Sequence, residues 1–245
     1  VREKEGLAYV RIFSKNNVAK TYDIVLQNEG YNLSNIYYDS SNIQFHDVQI
    51  DSKAVGIIPN LRVIERINQN EFYWIYKKLI NQLINAKKQV YILRHSVEDL
   101  EICKNIKKLF PNNTDVQLIA DDLACIELEN IIKQFDFVIA SRYHSIVHSY
   151  KNGVPALVIG WATKYFELLE TFNQQDYLVD TRNGIDVSKI DIKLDTLLRN
   201  YENEREKIIE KMAIIRQNSI IDSVFETNFL IGGFIPSKDA DLLEK

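Results

Sequence analysis

The run FVIASRYHSIVHSYKNGVPALVIG, residues 137–160, carries the reading of the fold. FVIAS (137–141) and ALVIG (156–160) are apolar, β-branched stretches of strand length, too short to be helices. Between them Ile146, Val147 and Tyr150 recur at helical spacing. Gly153 suits the left-handed C-cap that closes such a helix, and Pro155 cannot continue it. Strand, helix and strand in so short a span make a parallel crossover unit, and such units are almost always right-handed.

Working outward, the same alternation repeats. AVGIIP (54–59), VYILR (90–94), VQLIA (116–120) and DYLVD (176–180) read as further strands, giving six in all. FYWIYKKLINQLINAKK, DLEICKNIKKLF, CIELENIIKQF and YFELLETF between them place apolar residues three and four apart, the period of a helix with one buried face. The class is therefore α/β, a doubly wound parallel sheet of Rossmann-like type. The organisation expected is residues 1–52 as the tail of an N-terminal domain and linker, 53–185 as the sheet domain, and 186–245 as C-terminal helices packing back on the domain or on a partner. The first part contains a helical start and then a polar, Asn- and Ser-rich stretch, YNLSNIYYDSSNIQFHDVQIDSK. The last contains one long charged helical stretch from Asp186 to about Gln217 and a short terminal helix or tail.

The chain has 245 residues, more than one domain usually needs and fewer than two full ones require. With 46% hydrophobic and 26% charged residues it is a globular composition. The net charge of −4, with basic and acidic residues interspersed, lacks the basic footprint of nucleic-acid binding. No apolar run reaches membrane-spanning length and the charged start VREKEG is no signal peptide, so a cytoplasmic place is expected, including the inner face of the membrane. Cys103 and Cys125 lack a C-x-x-C partner and are expected to be buried structural residues in helices.

In an open parallel sheet the ligand crevice lies outside the carboxyl ends of the strands. The polar residues there are Asn60 and Arg62, then Arg94, His95 and Ser96, then Asp121 and Asp122, then Ser141, Arg142 and His144, then Trp161, Thr163 and Lys164. After the strand ending at Ser141, a helix N-terminus offers free N–H groups that favour an anion. Arg142 adds a forked cation and His144 a group that exchanges a proton near neutral pH. The competing reading is an Arg142 salt bridge to a neighbouring loop with His144 as a cap. His148, one turn further on, reads as a core or supporting residue. Ser96 reads as an N-cap and His95 either as a site residue or as a loop imidazole bonded to backbone. Asp121 and Asp122 lack a third ligand for a metal and suit capping of the next helix, so no metal is expected. The G-x-G-x-x-G, P-loop and G-x-S-x-G patterns are all missing.

SRYHSIVHSYKNGVPALVIGWATKYFELLETF (141–172) resembles the signature of the polysaccharide pyruvyl transferase family: S-R-x-H at a strand's end, a helix, G-V-P, an apolar strand, then a lysine. The strand followed by His95, Ser96 and Asp99 is similar to another segment of that family, and VREKEG resembles its R-[DE]-x-x-S stretch, with Gly6 in place of the serine. The resemblance covers most of residues 1–180. It implies the second, donor-binding domain of a GT-B-like pair, with much of the acceptor side on a missing N-terminal domain or a partner chain. It also implies transfer of the pyruvyl group of phosphoenolpyruvate onto two hydroxyls of a sugar in a cell-surface polysaccharide, forming a ketal and releasing phosphate, with a glycan or lipid-linked sugar as acceptor and no cofactor. On that resemblance Arg142 holds the phosphoenolpyruvate anion and His144 serves as acid or phosphate ligand. Ser141, His95, Lys164 and Arg2 line the cleft. Two other readings stay open: a GT-B glycosyltransferase holding a nucleotide sugar on the same helix N-terminus, and a non-catalytic subunit that keeps the anion pocket. A homo-oligomer is open as well. The face formed by Ile190, Leu194, Leu197 and Leu198 could pack against a first domain, and SVFETNFLIGGFI, if left exposed, could drive self-association.

Overall fold

The computed structural model describes residues 1–14, 18–28, 30 and 48–220. The chain divides into two compact units, Val1–Asn32 with Ala213–Lys245, and Leu33–Met212. In the first, helix α1 (Lys4–Arg11) is followed by the single turn α2 (Ile24–Gln27), in which the Asp23 carboxylate accepts the Val25 N–H.

The second unit is built on six parallel strands: β1 (Ala54–Ile58), β2 (Gln89–Leu93), β3 (Val116–Ile119), β4 (Phe137–Ala140), β5 (Ala156–Gly160) and β6 (Leu178–Asp180). Their spatial order, β3-β2-β1-β4-β5-β6, is that of the doubly wound dinucleotide-binding sheets. The chain therefore reverses its direction of growth between β1 and β4, and the switch point lies at the carboxyl ends of those two strands. DYLVD forms strand only from Leu178, because Gln175–Tyr177 make a 3-10 turn that brings the chain into the sheet.

The crossovers run through α3 (Gln69–Asn85), α4 (Leu100–Lys108), α5 (Cys125–Ile132), α6 (Tyr143–Lys151) and α7 (Thr163–Thr171), followed by α8 (Val187–Gln217). Each of β1, β4 and β5 is buried along its whole length, as expected of strands covered on both faces. Val55, Ile57, Val90, Ile92, Phe137 and Ile139 meet α3, α4 and α8 on one side. The alternate residues point the other way: Tyr91 stacks near Phe135 at 6.0 Å, and a Cβ on Gly56 would stand 2.6 Å from the Phe135 ring. Gly56 is what allows that ring to lie on the sheet.

Ile190, Leu194 and Leu197 are buried in this unit's own core, with Leu198 packed against it, so this face of α8 packs back on the sheet domain. Two expectations need correction. Ser96 precedes the 3-10 turn Val97–Asp99 without a side-chain cap bond, and only its carbonyl accepts, from Asp99 N–H. The aspartates after β3 do not cap α5. Glu127 reaches back to the Ala124 N–H at 2.6 Å instead. The tail SVFETNFLIGGFI lies outside the described residues, as does most of the polar stretch after Gly30. Among the described residues no helix is long and apolar enough to cross a membrane.

Candidate active site

At the switch point Asn60, buried after β1, accepts from the Arg62 N–H at 2.9 Å and donates to the Ser141 carbonyl at 3.2 Å. Tyr165 donates to the same carbonyl at 2.9 Å, and Tyr76 pairs with the Ser141 hydroxyl at 3.2 Å. Ser141 is thus fully buried beneath the edge, where its contacts fix the turn from β4 into α6.

Arg142 lies at the N-cap of α6, in extended backbone conformation. Its Nε and Nη2 both donate to Asp99 at 2.7 Å, and Nη2 also bonds Glu98. Asp99 is completely buried and its Oδ1 accepts the Leu61 N–H at 2.9 Å as well. The bidentate fork therefore joins the ends of β1, β2 and β4 through one carboxylate. The salt bridge weighed from the sequence is present. Among the described residues Nη1 has no partner, which leaves one face of the guanidinium for a ligand.

His95 follows β2 with its Nε2 enclosed and without a hydrogen-bond partner among the described residues. Burial, then the nearby charges of His148, Arg142 and His144, push its pKa down to about 4, so at neutral pH it is an uncharged imidazole. Its neighbour Arg94 turns away, bonding the Ala120 carbonyl at 3.1 Å and the Asp122 carboxylate. That pairing occupies one of the two aspartates weighed for a metal. Among the described residues no group of three or more His, Cys, Asp or Glu could hold a metal ion.

The next crossover starts after β5. Lys164, in the first turn of α7, places Nζ 5.1 Å from the Tyr143 ring centre and 5.6 Å from that of Tyr165, a cation–π arrangement. Tyr143 in turn meets His144 edge-on at 5.5 Å. Lys164, Tyr143 and His144 are therefore neighbours, and the electrostatic effect of His144 on His95 brings the last of these candidates into the same group. Neither α6 nor α7 has a side-chain cap or an acidic residue in its first turn, in contrast to α3, α4 and α5 with Glu71, Glu101 and Glu127. Two adjacent N-termini thus keep their partial positive charge on the side of the site. Arg66 is stacked 4.5 Å over the Trp161 ring on the same strand edge. Arg2 belongs to the first unit, where its guanidinium bonds Asp23 at 2.7 Å and Glu3 at 2.6 Å.

His148 is buried, with Nε2 3.3 Å from Cys125 Sγ and Nδ1 3.2 Å from Glu129 Oε2. Burial alone would lower its pKa, but the bonds to Cys125 and Glu129 win and raise it to about 9. Sequence reasoning missed Cys125 and Glu129. Cys125 was expected to be buried and is exposed, because it opens α5 at the sheet edge, whereas Cys103 is buried as expected. The available signal was the four-residue spacing of Cys125 and Glu129, which puts both on one helical face.

A model of the family described as polysaccharide pyruvyl transferase matches residues 1–163. Among solved structures, TarM is 16% identical with a TM-score of 0.49, over 94% of this chain and 42% of that one. An Escherichia coli structure described as trehalose-6-phosphate bound with UDP-2-fluoro glucose is 12% identical with a TM-score of 0.44, over 69% and 41%. A UDP-forming α,α-trehalose-phosphate synthase from Burkholderia xenovorans is 11% identical with a TM-score of 0.44, over 73% and 44%. The chain spans less than half the length of each of these three. No curated protein matches it.

Proposed function

Since this chain belongs to the polysaccharide pyruvyl transferase family, we propose that it supplies the donor side of a transferase that moves the pyruvyl group of phosphoenolpyruvate onto a sugar of a cell-surface polysaccharide. The observation that carries the reading is the pair of adjacent helix N-termini, α6 and α7, free of first-turn acids and bearing Arg142, His144 and Lys164. Phosphoenolpyruvate presents a phosphate and a carboxylate on one small carbon frame, and two positive helix ends with cationic side chains suit such a pair of anions.

The reaction needs a proton on the methylene carbon, which makes C2 electrophilic. Two sugar hydroxyls then bond to C2 and phosphate leaves, and of the two hydroxyl protons one balances the new methyl group and the other the phosphate. His144 is placed by this reading as the proton donor or phosphate ligand, and Arg142, held rigid by Asp99, offers Nη1 to the donor. Neutral His95 accepts or donates a hydrogen bond without adding charge. Ser141 holds the turn. The sheet then acts as the second domain of a GT-B-like pair, with the acceptor sugar held on the opposite side.

Thermal unfolding of the chain with phosphoenolpyruvate and, separately, with nucleotide sugars tests the reading, because a ligand specific for the folded state raises the melting temperature. Phosphoenolpyruvate is expected to stabilise the chain, and Lys164→Ala with His144→Ala to abolish the effect. A nucleotide sugar that stabilises where phosphoenolpyruvate does not would replace the proposal with a glycosyltransferase.

A further inference from the structure

Cys125, His148 and Glu129 form a line of three side chains in which the imidazole lies between thiol and carboxylate. The thiol meets Nε2 at 3.3 Å and the carboxylate meets Nδ1 at 3.2 Å, on opposite sides of the ring. A metal cage would require the three to converge on one point, whereas this arrangement passes charge from one end to the other. Glu129 is itself fixed by Lys151 at 3.1 Å and by the Asn152 amide at 3.2 Å, so the acceptor that orients the ring cannot swing away. His148 is buried and Cys125 is exposed, so the sulfur can be reached while the group that acts on it stays shielded.

We propose that Cys125 is a covalent-modification site, a nucleophilic thiol that reacts with hydroperoxide-class oxidants, with His148 as its proton partner and Glu129 as the residue that positions the imidazole. The site is separate from the pyruvyl-transfer reading and does not depend on it. With hydrogen peroxide, the thiolate sulfur attacks one peroxide oxygen. An S–O bond forms, the O–O bond breaks and two electrons pass from sulfur to oxygen. The leaving hydroxide takes the Nε2 proton of His148 and departs as water, and Cys125 remains as a sulfenic acid.

The charges acting on the thiol come from both helices at this point: His148 and Lys151 on α6, Glu129 on its own α5. The hydrogen bond from His148 lowers the thiol pKa and outweighs burial. Cys103 is the internal contrast, since burial first and then Asp99 push its thiol up to about 12.

The test is the rate at which iodoacetamide alkylates the chain, followed against pH by mass spectrometry, with dimedone capture after peroxide as the second readout. The Cys125 profile is expected to have its midpoint below the ordinary thiol value of about 8.5. Each unit of added acidity raises the thiolate fraction about tenfold while nucleophilicity falls, so the net gain is about threefold per unit. His148→Gln is therefore expected to slow alkylation at about pH 6.5 by at least about threefold and to move the midpoint up. If His148→Gln does not fold, the wild-type Cys125 midpoint and its dimedone adduct decide the matter. Cys125→Ala should abolish both alkylation of the native chain and the dimedone adduct. A wild-type midpoint at the ordinary thiol value, or labelling that persists on Cys103 in Cys125→Ala, would overturn the assignment.

Discussion

Acidification from neutrality puts a proton on His95 at the expense of the fold. The imidazole stands at about 4 in the folded chain against an ordinary 6.5, driven down by burial first and then by His148, Arg142 and His144. A histidine with a depressed folded pKa contributes stability that is fully present above the unfolded value and is lost as the pH falls through the folded one. The window therefore runs from 6.5 down to 4, and about 2.5 units at 1.36 kcal/mol each gives a loss of at most about 3 kcal/mol. The neighbours do not obscure it. His148 is raised to about 9 from 6.5, so its contribution is complete below 6.5 and is lost as the pH rises from there through 9. Glu129 is lowered to about 2 from 4.5, so its contribution disappears mostly below the window. Urea unfolding of the wild type and His95→Gln, at intervals between neutrality and about pH 4, isolates the effect, since glutamine stays neutral throughout. The wild type is expected to lose up to about 3 kcal/mol more than the variant across that range. Parallel stability curves, or an NMR titration of His95 near 6.5, would refute the assignment of a desolvated imidazole flanked by cations.

Three further outcomes are expected. Arg142→Ala leaves the fully buried Asp99 carboxylate without its fork and should cost about 3–5 kcal/mol in urea unfolding, and adding Asp99→Asn to the same chain should recover much of that. Gly56→Ala places a methyl group 2.6 Å from the Phe135 ring and should lower stability by about 1–3 kcal/mol, with Phe135→Leu in the same chain restoring part of it, as read by thermal unfolding. Lys107 Nζ donates to the carbonyls of Phe110, Asn113 and Val116, so Lys107→Met should speed amide exchange across residues 110–116 and cost roughly 1–3 kcal/mol.

All six strands were readable because each is a short apolar run, fully buried in β1, β4 and β5 and partly exposed in the edge strands β3 and β6, a pattern set by composition within the run itself. The half-length of β6 was not, since Asp176 and Tyr177 are as compatible with a 3-10 turn as with a strand end. Contacts between crossovers were less accessible still. Glu98 and Asp99 sit where first-turn carboxylates suit a helix dipole, and nothing local says that one of them clamps Arg142. That contact follows from the order β2-β1-β4, which brings the loop after β2 across β1 to the start of α6. Cys125 and Glu129 share a helical face in the sequence, but His148 completes the line only because α5 and α6 pack together. Local pattern gives the elements, and strand order decides which of their end residues meet.

The same topology sorts the charges at the edge. Arg142 is matched by Asp99 and Glu98, and His148 by Glu129 and the Cys125 sulfur, so these cations are balanced before any ligand arrives. His95, enclosed beside them, is held neutral by burial first and by their charge second. Because neighbouring charge is only the second cause, on the proposed reading an anion settled beside Arg142 would offset part of that charge and raise the His95 pKa. On the proposed reading, anion binding and proton uptake are then linked through one imidazole.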